Sequence, residues 1–276
     1  IMALGVYITY KILDFPDLTV DGTFPLGAAL ASMLISKGWN AVLVLPITFL
    51  AGAVAGMCTG LIHVKGKVRD LLSGIIMMTA LYTVNLTIAG KSYLAIYEFD
   101  NIFDNGLLNS IFEGGLQRVK KVVVIFVIML LVKYLLDAYM STEAGFLLRA
   151  VGDNETIVTS LGVDKGLVKI TGLAIANGLV ALSGAIFAQQ QRFFDISMGT
   201  GTVVIGLASV IIGTSLFKKV TFFRVTSSVL VGSLVYKACV ALAMRIGIPN
   251  EFLKLVTAVL FLLILILGMD RKKKVK

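Results

Sequence analysis

Long apolar runs constrain this chain more than any other feature of its sequence. The stretches 41–62 and 71–90 are each about as long as the 18–20 residues that a helix needs to cross a bilayer, and comparable runs recur along the 276 residues. Hydrophobic residues make up 58% of the chain, against about 45–50% in soluble domains. A soluble core cannot bury that much apolar surface, so the sequence predicts an integral membrane protein.

The apolar runs predict an all-α fold, a polytopic bundle of about nine transmembrane helices. No long polar linker interrupts them, so residues 1–276 are expected to form one transmembrane domain. Because Ile1 already lies within an apolar run, we expect the first helix to be truncated at its N-terminus. The predicted helices are 1–13, 24–36, 41–62, 71–90, 121–140, 168–190, 201–217, 222–246 and 252–268.

The distribution of Lys and Arg predicts the orientation of the bundle. More basic residues fall on the side of the C-terminus, in loops that include Lys65, Arg149 and Lys218, than on the other side. Such residues are enriched in cytoplasmic loops. The basic tail 271–276 follows an apolar run, which is typical of a cytoplasmic end held near anionic lipid; nucleic acid is not the expected partner. A cytoplasmic C-terminus and nine helices place the N-terminus outside.

Two tetrads echo each other along the chain. Residues 17–20 read Asp-Leu-Thr-Val and residues 195–198 read Asp-Ile-Ser-Met, and each precedes a short, Gly-containing helix. In the predicted topology the copies run in opposite directions, as in inverted repeats whose broken helices form a site near the midplane. The helix 24–36 would rise only about 20 Å, short of a core roughly 30 Å thick. The alternative is an ordinary turn capped by Thr19 or Asp21.

Polar side chains inside apolar helices are further candidates for a path, because burying them in lipid is costly. Asn85 and Asn177 each either face a pore or bond between helices. Lys133 and Asp137, four residues apart, predict a structural ion pair. The predicted substrate-path residues are Asp17, Thr19, Asp21, Asn85, Asn177, Asp195 and Ser197.

Small residues recur at every fourth position of one predicted helix. Gly52, Gly56 and Gly60 fall on one face, and such spacing lets two helix backbones approach closely. The pattern predicts helix packing and implies no chemistry.

The loop 141–167 carries a second candidate site. Asp153 or Asn154 can cap a short helix of about two turns, and Gly162 can end it in a left-handed conformation. Glu155 suits the positive N-terminal end of such a helix. The helix either lies on the bilayer surface or acts as a lever that inserts into a soluble partner. Its apolar face would consist of Ile157, Val158 and Leu161.

The long loop 91–119 falls on the opposite, outer side. It combines acidic residues with aromatic ones, such as Glu98, Asp104, Tyr93 and Phe103. This composition fits a solvated cap with interfacial aromatics or a docking face for an outer partner, and the two remain open.

The loop 141–167 resembles the coupling segment of bacterial ABC-importer permeases of the branched-chain amino acid and ribose class. Both tetrads resemble the Asp-Leu-Ser-Val-Gly segments of that class; Asp21 stands where the first copy has Gly, and Gly199 keeps it in the second. The resemblance covers nearly the whole chain. The matching loop residues are Gly145, Arg149, Ala150, Gly152, Asn154, Gly162 and Val163.

The resemblance implies that the chain is a permease subunit in a bacterial plasma membrane. It implies two permease copies around a central path, two cytoplasmic ABC ATPases and an extracellular substrate-binding lipoprotein. Within the class the sequence is most similar to permeases paired with an aromatic amino acid-binding lipoprotein. The chain would need no cofactor, since the partner ATPase would bind ATP. The residues expected to couple to it are Glu143, Gly145, Arg149, Gly152, Asp153, Asn154, Ile157, Leu161 and Gly162.

The sequence lacks the motifs of an enzyme. It has no Gly-rich phosphate-binding loop followed by Lys-Ser or Lys-Thr, no His/Cys metal cluster and no nucleophile elbow. ATP hydrolysis is therefore expected in a separate chain. The competing prediction is a secondary transporter or channel that acts alone, since inverted repeats suit it equally.

Overall fold

A computed structural model describes residues 1–104, 117–217 and 224–245, together with the single positions 252, 255, 258, 259 and 262. The predicted helix 252–268 therefore lies outside the described residues, apart from those single positions. Within the described part the fold is a polytopic helical bundle. Six of its helical stretches are long and apolar enough to cross a membrane, and Val20–Ser36 is a shorter apolar helix.

The helices follow the apolar runs of the sequence closely. The first helix continues into a π-helical turn at Ile8–Ile12, and a 3-10 turn at Ile196–Gly199 precedes α9. The helices are α1 (Met2–Tyr7), α2 (Val20–Ser36), α3 (Val44–Val64), α4 (Asp70–Ala89), α5 (Gln117–Met140), α6 (Glu143–Asp153), α7 (Glu155–Ser160), α8 (Lys165–Gln191), α9 (Thr202–Leu216) and α10 (Val225–Arg245).

Helix α8 forms the centre of the bundle. Most of its span is buried, and it packs against α2 and antiparallel to α3. A Cβ added at Gly52 would collide with Ala181, and one at Gly56 would collide with the carbonyl of Leu173; Gly60 faces the same helix. Because the three glycines present no side chain, the two backbones can approach closely.

A two-stranded sheet departs from the all-α prediction. Strands β1 (Tyr93–Ala95) and β2 (Phe193–Asp195) pair antiparallel, with Leu94 opposite Phe194. The prediction missed this pair of strands because each strand has only three residues, and its partner lies about a hundred residues away in sequence. No local periodicity marks such a pair.

The sheet and the short helices mark opposite ends of the bundle. β1 follows α4 and β2 follows α8, whereas α6 and α7 precede α8. The 27 residues of α8 rise about 40 Å and separate the two. The end of the bundle that carries the sheet is named the sheet end below, and the opposite end is named the α6–α7 end.

Helix α2 begins earlier than the sequence predicted. It starts at Val20 and contains Pro25, where the prediction began the helix at residue 24. Pro25 lies in the second turn, where its missing N–H leaves the carbonyl of Asp21 without a helical partner. The 17 residues rise about 26 Å, still short of a hydrocarbon core roughly 30 Å thick.

Candidate functional site

A group of buried polar side chains surrounds the start of α2, and it is named the polar cluster here: Asp17, Thr19, Thr23, Thr59 and Asn177. The carboxylate of Asp17 is 4% exposed. It accepts hydrogen bonds from the backbone N–H of Thr19 at 2.8 Å and from Nδ2 of Asn177 at 2.7 Å. The hydroxyl of Thr23 donates to Oδ1 of Asn177 at 2.8 Å. The break before α2 is therefore tied to the middle of α8.

Two further helices reach the same turn of α2. The hydroxyls of Thr19 and Thr59 lie 3.0 Å apart, which joins α2 to α3. Nδ2 of Asn85 in α4 donates to the carbonyl of Gly22 at 3.0 Å. The other amide atom, Oδ1 of Asn85, is buried without a hydrogen-bond partner among the described residues. The first turn of α2 thus collects polar groups from α3, α4 and α8.

Asp21 connects this turn to the second half of the chain. Its carboxylate accepts hydrogen bonds from the backbone N–H groups of Gly201 and Val203, at 3.0 and 2.8 Å, and from the hydroxyl of Thr202 at 2.8 Å. These are the first donors of α9, where the helix dipole favours a negative charge. The expected alternative was an ordinary turn capped by Thr19 or Asp21. Thr19 does occupy the N-cap position of α2, but its side chain accepts no capping hydrogen bond. The carboxylate of Asp21 caps α9 and not its own helix.

Gly199, which directly follows the second tetrad, packs against the start of α2. A Cβ at Gly199 would collide with the carbonyl of Asp21 and the ring of Pro25. From this junction the two short helices diverge. Ala28 of α2 packs with Phe194 at the sheet end, whereas α9 continues toward the start of α10 and the α6–α7 end.

Asp195 and Ser197 lie apart from the polar cluster. Oδ1 of Asp195 accepts a hydrogen bond from the backbone N–H of Ser197 at 2.7 Å and a short one from its hydroxyl. This is a local turn that starts the 3-10 helix, and Ser197 is exposed. Of the seven predicted path residues, the structure therefore gathers Asp17, Thr19, Asp21, Asn85 and Asn177 around α2.

Two short helices occupy the loop 141–167 where the sequence predicted one. The missed helix is α6, whose N-cap Thr142 accepts a hydrogen bond from the N–H of Gly145. Asn154 separates it from α7, and Oδ1 of Asn154 accepts from the N–H of Thr156 at 3.0 Å. The sequence did carry a signal for α6. Thr142 can cap a helix and is followed by the acidic Glu143, and apolar residues stand three positions apart at Leu148 and Val151.

Three glycines fit the path of this loop. A Cβ at Gly145 would collide with the end of α5, and one at Gly152 would collide with the carbonyl of Ile12. Gly162 follows α7 with φ of 74°, the left-handed conformation that glycine adopts without strain.

Ion pairs hold α7 against the start of α8. Glu155 contacts Nζ of Lys165 at 2.7 Å and Nζ of Lys169 at 2.5 Å. Hydrogen bonds from Lys165 and then Lys169 lower the pKa of Glu155 from its ordinary 4.5 to about 2. The carboxylate is therefore charged throughout the physiological range.

The segment formed by α6 and α7, the α6–α7 segment, is anchored on one side and exposed on the other. Leu148 and Val158 are fully buried, whereas Phe146, Ile157 and Leu161 are 60%, 50% and 65% exposed. Apolar side chains held outward by a fixed backbone are typical of an interaction surface. The remaining predicted coupling residues Glu143, Arg149 and Asp153 are also exposed.

The first part of the loop 91–119 packs into the bundle. Asn101, Ile102 and Phe103 are buried, and Asp104 pairs with Lys120 at 3.3 Å and, closely, with Arg192. Residues 105–116 lie outside the described part. The loop is thus more than a solvated cap.

The chemistry available is hydrogen bonding and charge pairing. In the part of the chain that the structure describes, no three His, Cys, Asp or Glu side chains are placed to bind a metal ion. The predicted pair of Lys133 and Asp137 is confirmed at 3.0 Å. Apolar spans, two short helices whose starts meet at buried polar groups, and a protruding helical segment together define a membrane permease.

Comparison with known proteins agrees with that class. The family described as "Branched-chain amino acid transport system / permease component" matches residues 1–265. The chain belongs to this family of ABC-importer permeases, and the resemblance found in the sequence is confirmed at this level.

Individual relatives extend over most of the chain. It is 42% identical to a tyrosine transport system permease protein of Clostridioides difficile, over 97% of this chain and 87% of that one. It is 31% identical to an uncharacterized protein of Rickettsia prowazekii, over 94% and 89%. Identity to a ribose import permease of Haemophilus influenzae is 24%, over 77% and 64%. No solved structure matches the chain.

Proposed function

We propose that this chain forms the translocation path for a small solute in an ABC importer of the bacterial plasma membrane. The proposed solute is an amino acid, preferably an aromatic one. The 42% identity to a tyrosine transport system permease supports the substrate class. The chain itself would use no cofactor and hydrolyse nothing, because ATP would be bound by a partner ATPase.

The path would run through the junction of α2 and α9. Asp17, Thr19, Asp21, Asn85 and Asn177 offer donors and acceptors there, which suit the ammonium and carboxylate groups of an amino acid. All are at least partly buried, so in this proposal the path is closed at this level in the described conformation. Asp195 and Ser197 would contact the solute at the sheet end.

The arrangement supports inverted halves. Helix α2 runs from the junction to the sheet end, and α9 runs from the junction to the α6–α7 end. Each helix follows a matching tetrad. In this proposal the segment 252–268 completes nine spans, and the C-terminus is cytoplasmic. Oppositely directed broken helices around one site are a common basis of alternating access.

The observation that carries the ATPase-driven function is the exposed apolar surface of the α6–α7 segment. Ile157 and Leu161 point outward while Val158, between them, is buried in the main core. A force applied to this surface would therefore reach the core through a fixed contact. In the proposal the 141–167 loop is the coupling segment that seats in the ATPase.

The proposal also requires partners beyond the ATPases. A second copy of the permease would complete the path, and an extracellular lipoprotein would deliver the solute at the sheet end, beside the loop 91–119. The family supports ATPase and binding-protein partners in general, and the second permease copy is part of the proposal. Together they define what should copurify with the chain.

A copurification experiment tests the coupling surface. Tagged permease is isolated from its host's membranes, and bound proteins carrying a phosphate-binding loop are quantified. Ile157→Asp and Leu161→Asp should each reduce ATPase recovery and solute-stimulated ATP turnover about tenfold, the effect of losing about 1.4 kcal/mol of binding. Thr159→Asp, on the opposite side of α7, should change neither. The coupling role is wrong if both apolar variants behave like Thr159→Asp.

A stand-alone secondary transporter is the second candidate, and the buried carboxylate of Asp17 favours it. Asp17 pairs with no cation among the described residues and lies against the middle of α8, where a coupling ion could bind. Solute uptake by the purified chain, without any ATPase and abolished by Asp17→Asn, would select this function.

A further inference from the structure

A polar cavity of about 500 Å³ opens at the α6–α7 end, away from the polar cluster. It lies among α1, the end of α5, the α6–α7 segment and the start of α10. Its polar wall consists of Asp137, Ser141, Arg149, Arg224 and Thr226, and its apolar wall of Tyr7, Met140, Phe146 and Val225. The cavity contains none of the predicted path residues and neither Ile157 nor Leu161; it shares only Arg149 and Phe146 with the exposed side of the α6–α7 segment.

Asp137 is the one carboxylate that the described residues contribute to the cavity wall, and it is already paired. Oδ2 of Asp137 contacts Nζ of Lys133 at 3.0 Å and Arg224 at 3.4 Å, and Oδ1 accepts a hydrogen bond from the hydroxyl of Thr226 at 2.6 Å. Lys133 alone balances its charge. Because Asp137 supplies one negative charge to two cations, Lys133 and Arg224, a net positive charge remains beside Arg224.

Arg149 brings a second positive charge to the same cavity. Its guanidinium donates to the carbonyl of Met140 at 3.2 Å and lies 5.8 Å from the ring centre of Phe146. Both are neutral partners, and no carboxylate among the described residues pairs with Arg149. Two guanidiniums from different elements thus face one space with a net positive charge.

We propose that this cavity binds a phosphate-bearing anion, held between Arg149 and Arg224. Guanidinium groups bind phosphate oxygens in a two-pronged geometry. The start of the 21-residue helix α10 adds a favourable dipole, whereas the hydroxyls of Ser141 and Thr226 already donate to the backbone carbonyl and the carboxylate of Asp137. The apolar wall beside the arginines, at the end of a membrane-spanning helix, suits the headgroup and glycerol region of an anionic phospholipid.

Binding there would join α6 directly to α10, each of which already contacts the end of α5 through Arg149 and Arg224. Arg149 belongs to α6, Arg224 precedes α10, and Ser141 follows α5. An anion between them would hold the base of the α6–α7 segment against the bundle. Anionic lipid would then stabilise the protein more than neutral lipid with the same acyl chains.

Thermal unfolding of the purified full chain tests the site. Phosphatidylglycerol is titrated against phosphatidylcholine of identical chains, and inorganic phosphate is titrated separately. We expect phosphatidylglycerol alone to raise the melting temperature of the wild type. Arg149→Gln and Arg224→Gln should each weaken its apparent affinity about tenfold, the loss expected for a charge-assisted bond worth about 1.4 kcal/mol.

Two variants control this experiment. Lys65→Gln removes an exposed cation at the same end of the bundle and should leave the lipid effect unchanged. Arg224→Lys keeps the positive charge but loses the two-pronged donor geometry of the guanidinium, so it should give an intermediate affinity. Because Arg224 is 67% exposed, its variants are expected to fold even if Arg149→Gln does not.

The outcomes separate the two sources of phosphate. If inorganic phosphate stabilises the wild type at millimolar concentration and both arginine variants lose the effect, the site takes a soluble phosphate-bearing ligand. The proposal is overturned if neither anion stabilises the wild type, or if Lys65→Gln loses as much lipid effect as the arginine variants. It is also overturned if the Arg224→Gln variant keeps the full effect.

Discussion

Glu155 shows how one residue can fix the position of the α6–α7 segment. Its two lysine partners belong to the first turns of α8, so the pair ties α7 to the central helix. Because the side chain is 42% exposed, solvent weakens the attraction. The contribution is therefore positional more than energetic.

The depressed pKa of Glu155 makes this contribution dependent on pH. The folded pKa of about 2 lies below the ordinary 4.5, so the stabilisation is complete above about 4.5 and disappears as the pH falls toward 2. Glu155→Gln should lower the melting temperature at pH 7, and the difference from wild type should shrink from pH 5 to pH 3. Glu143→Gln is the control, because Glu143 forms no ion pair with any described residue. A difference that stays constant with pH would contradict the assignment.

The contact between Asp17 and Asn177 gives a second residue-scale prediction. Asn177→Leu would leave a buried carboxylate without one of its donors, at a cost of about 2–3 kcal/mol. The double variant Asp17→Leu/Asn177→Leu removes both partners and should be more stable than Asn177→Leu alone. Chemical or thermal unfolding of the two variants decides this. If the double variant is the less stable one, the hydrogen bond is not what holds the pair.

At the scale of elements, the close approach of α3 and α8 is set by glycine. A methyl group at Gly56 would meet the carbonyl of Leu173, and backbone cannot move aside cheaply. Gly56→Ala should destabilise the protein by about 1–3 kcal/mol through overpacking, as measured by its unfolding midpoint. Val54→Leu, at an exposed position of the same helix, should change the midpoint little. Equal effects would mean that the interface is loose.

The junction of α2 and α9 is a second relation between elements. Asp21 and Thr202 form one hydrogen-bonded unit across 181 residues. In a double-mutant cycle of Asp21→Ala and Thr202→Val, we expect a coupling energy of about 1 kcal/mol, because each single variant already removes the shared bond. Additive effects on unfolding would show that the two short helices are not joined there.

The described elements also show what sequence patterns can and cannot predict. The span 168–190 was predicted within three residues of α8 because a continuous apolar run has no competing interpretation. Helix α6 was missed because half of its face is exposed and its apolar spacing is short. The strand pairing of Leu94 with Phe194 and the contact of Asp21 with α9 depend on partners far away in sequence. Only the folded chain brings these groups together.

At the scale of the whole molecule, the glycines, polar side chains and loop residues singled out from the sequence fall into separate places. Gly52, Gly56 and Gly60 lie in a helix interface, five of the seven path residues surround one turn, and the loop residues protrude at one end. The family shows a permease component, and this arrangement fits one subunit of a larger importer. In the proposed function, the junction of α2 and α9 and the exposed α6–α7 segment would act in one transport cycle.

Uptake into proteoliposomes tests this account most directly. The permease is reconstituted with its copurified ATPase and binding lipoprotein, and labelled tyrosine, leucine and ribose are supplied with or without ATP. We predict uptake that requires ATP and both partners, strongest for tyrosine, and about tenfold lower with Ile157→Asp. Equal uptake by the permease alone without ATP would contradict the account.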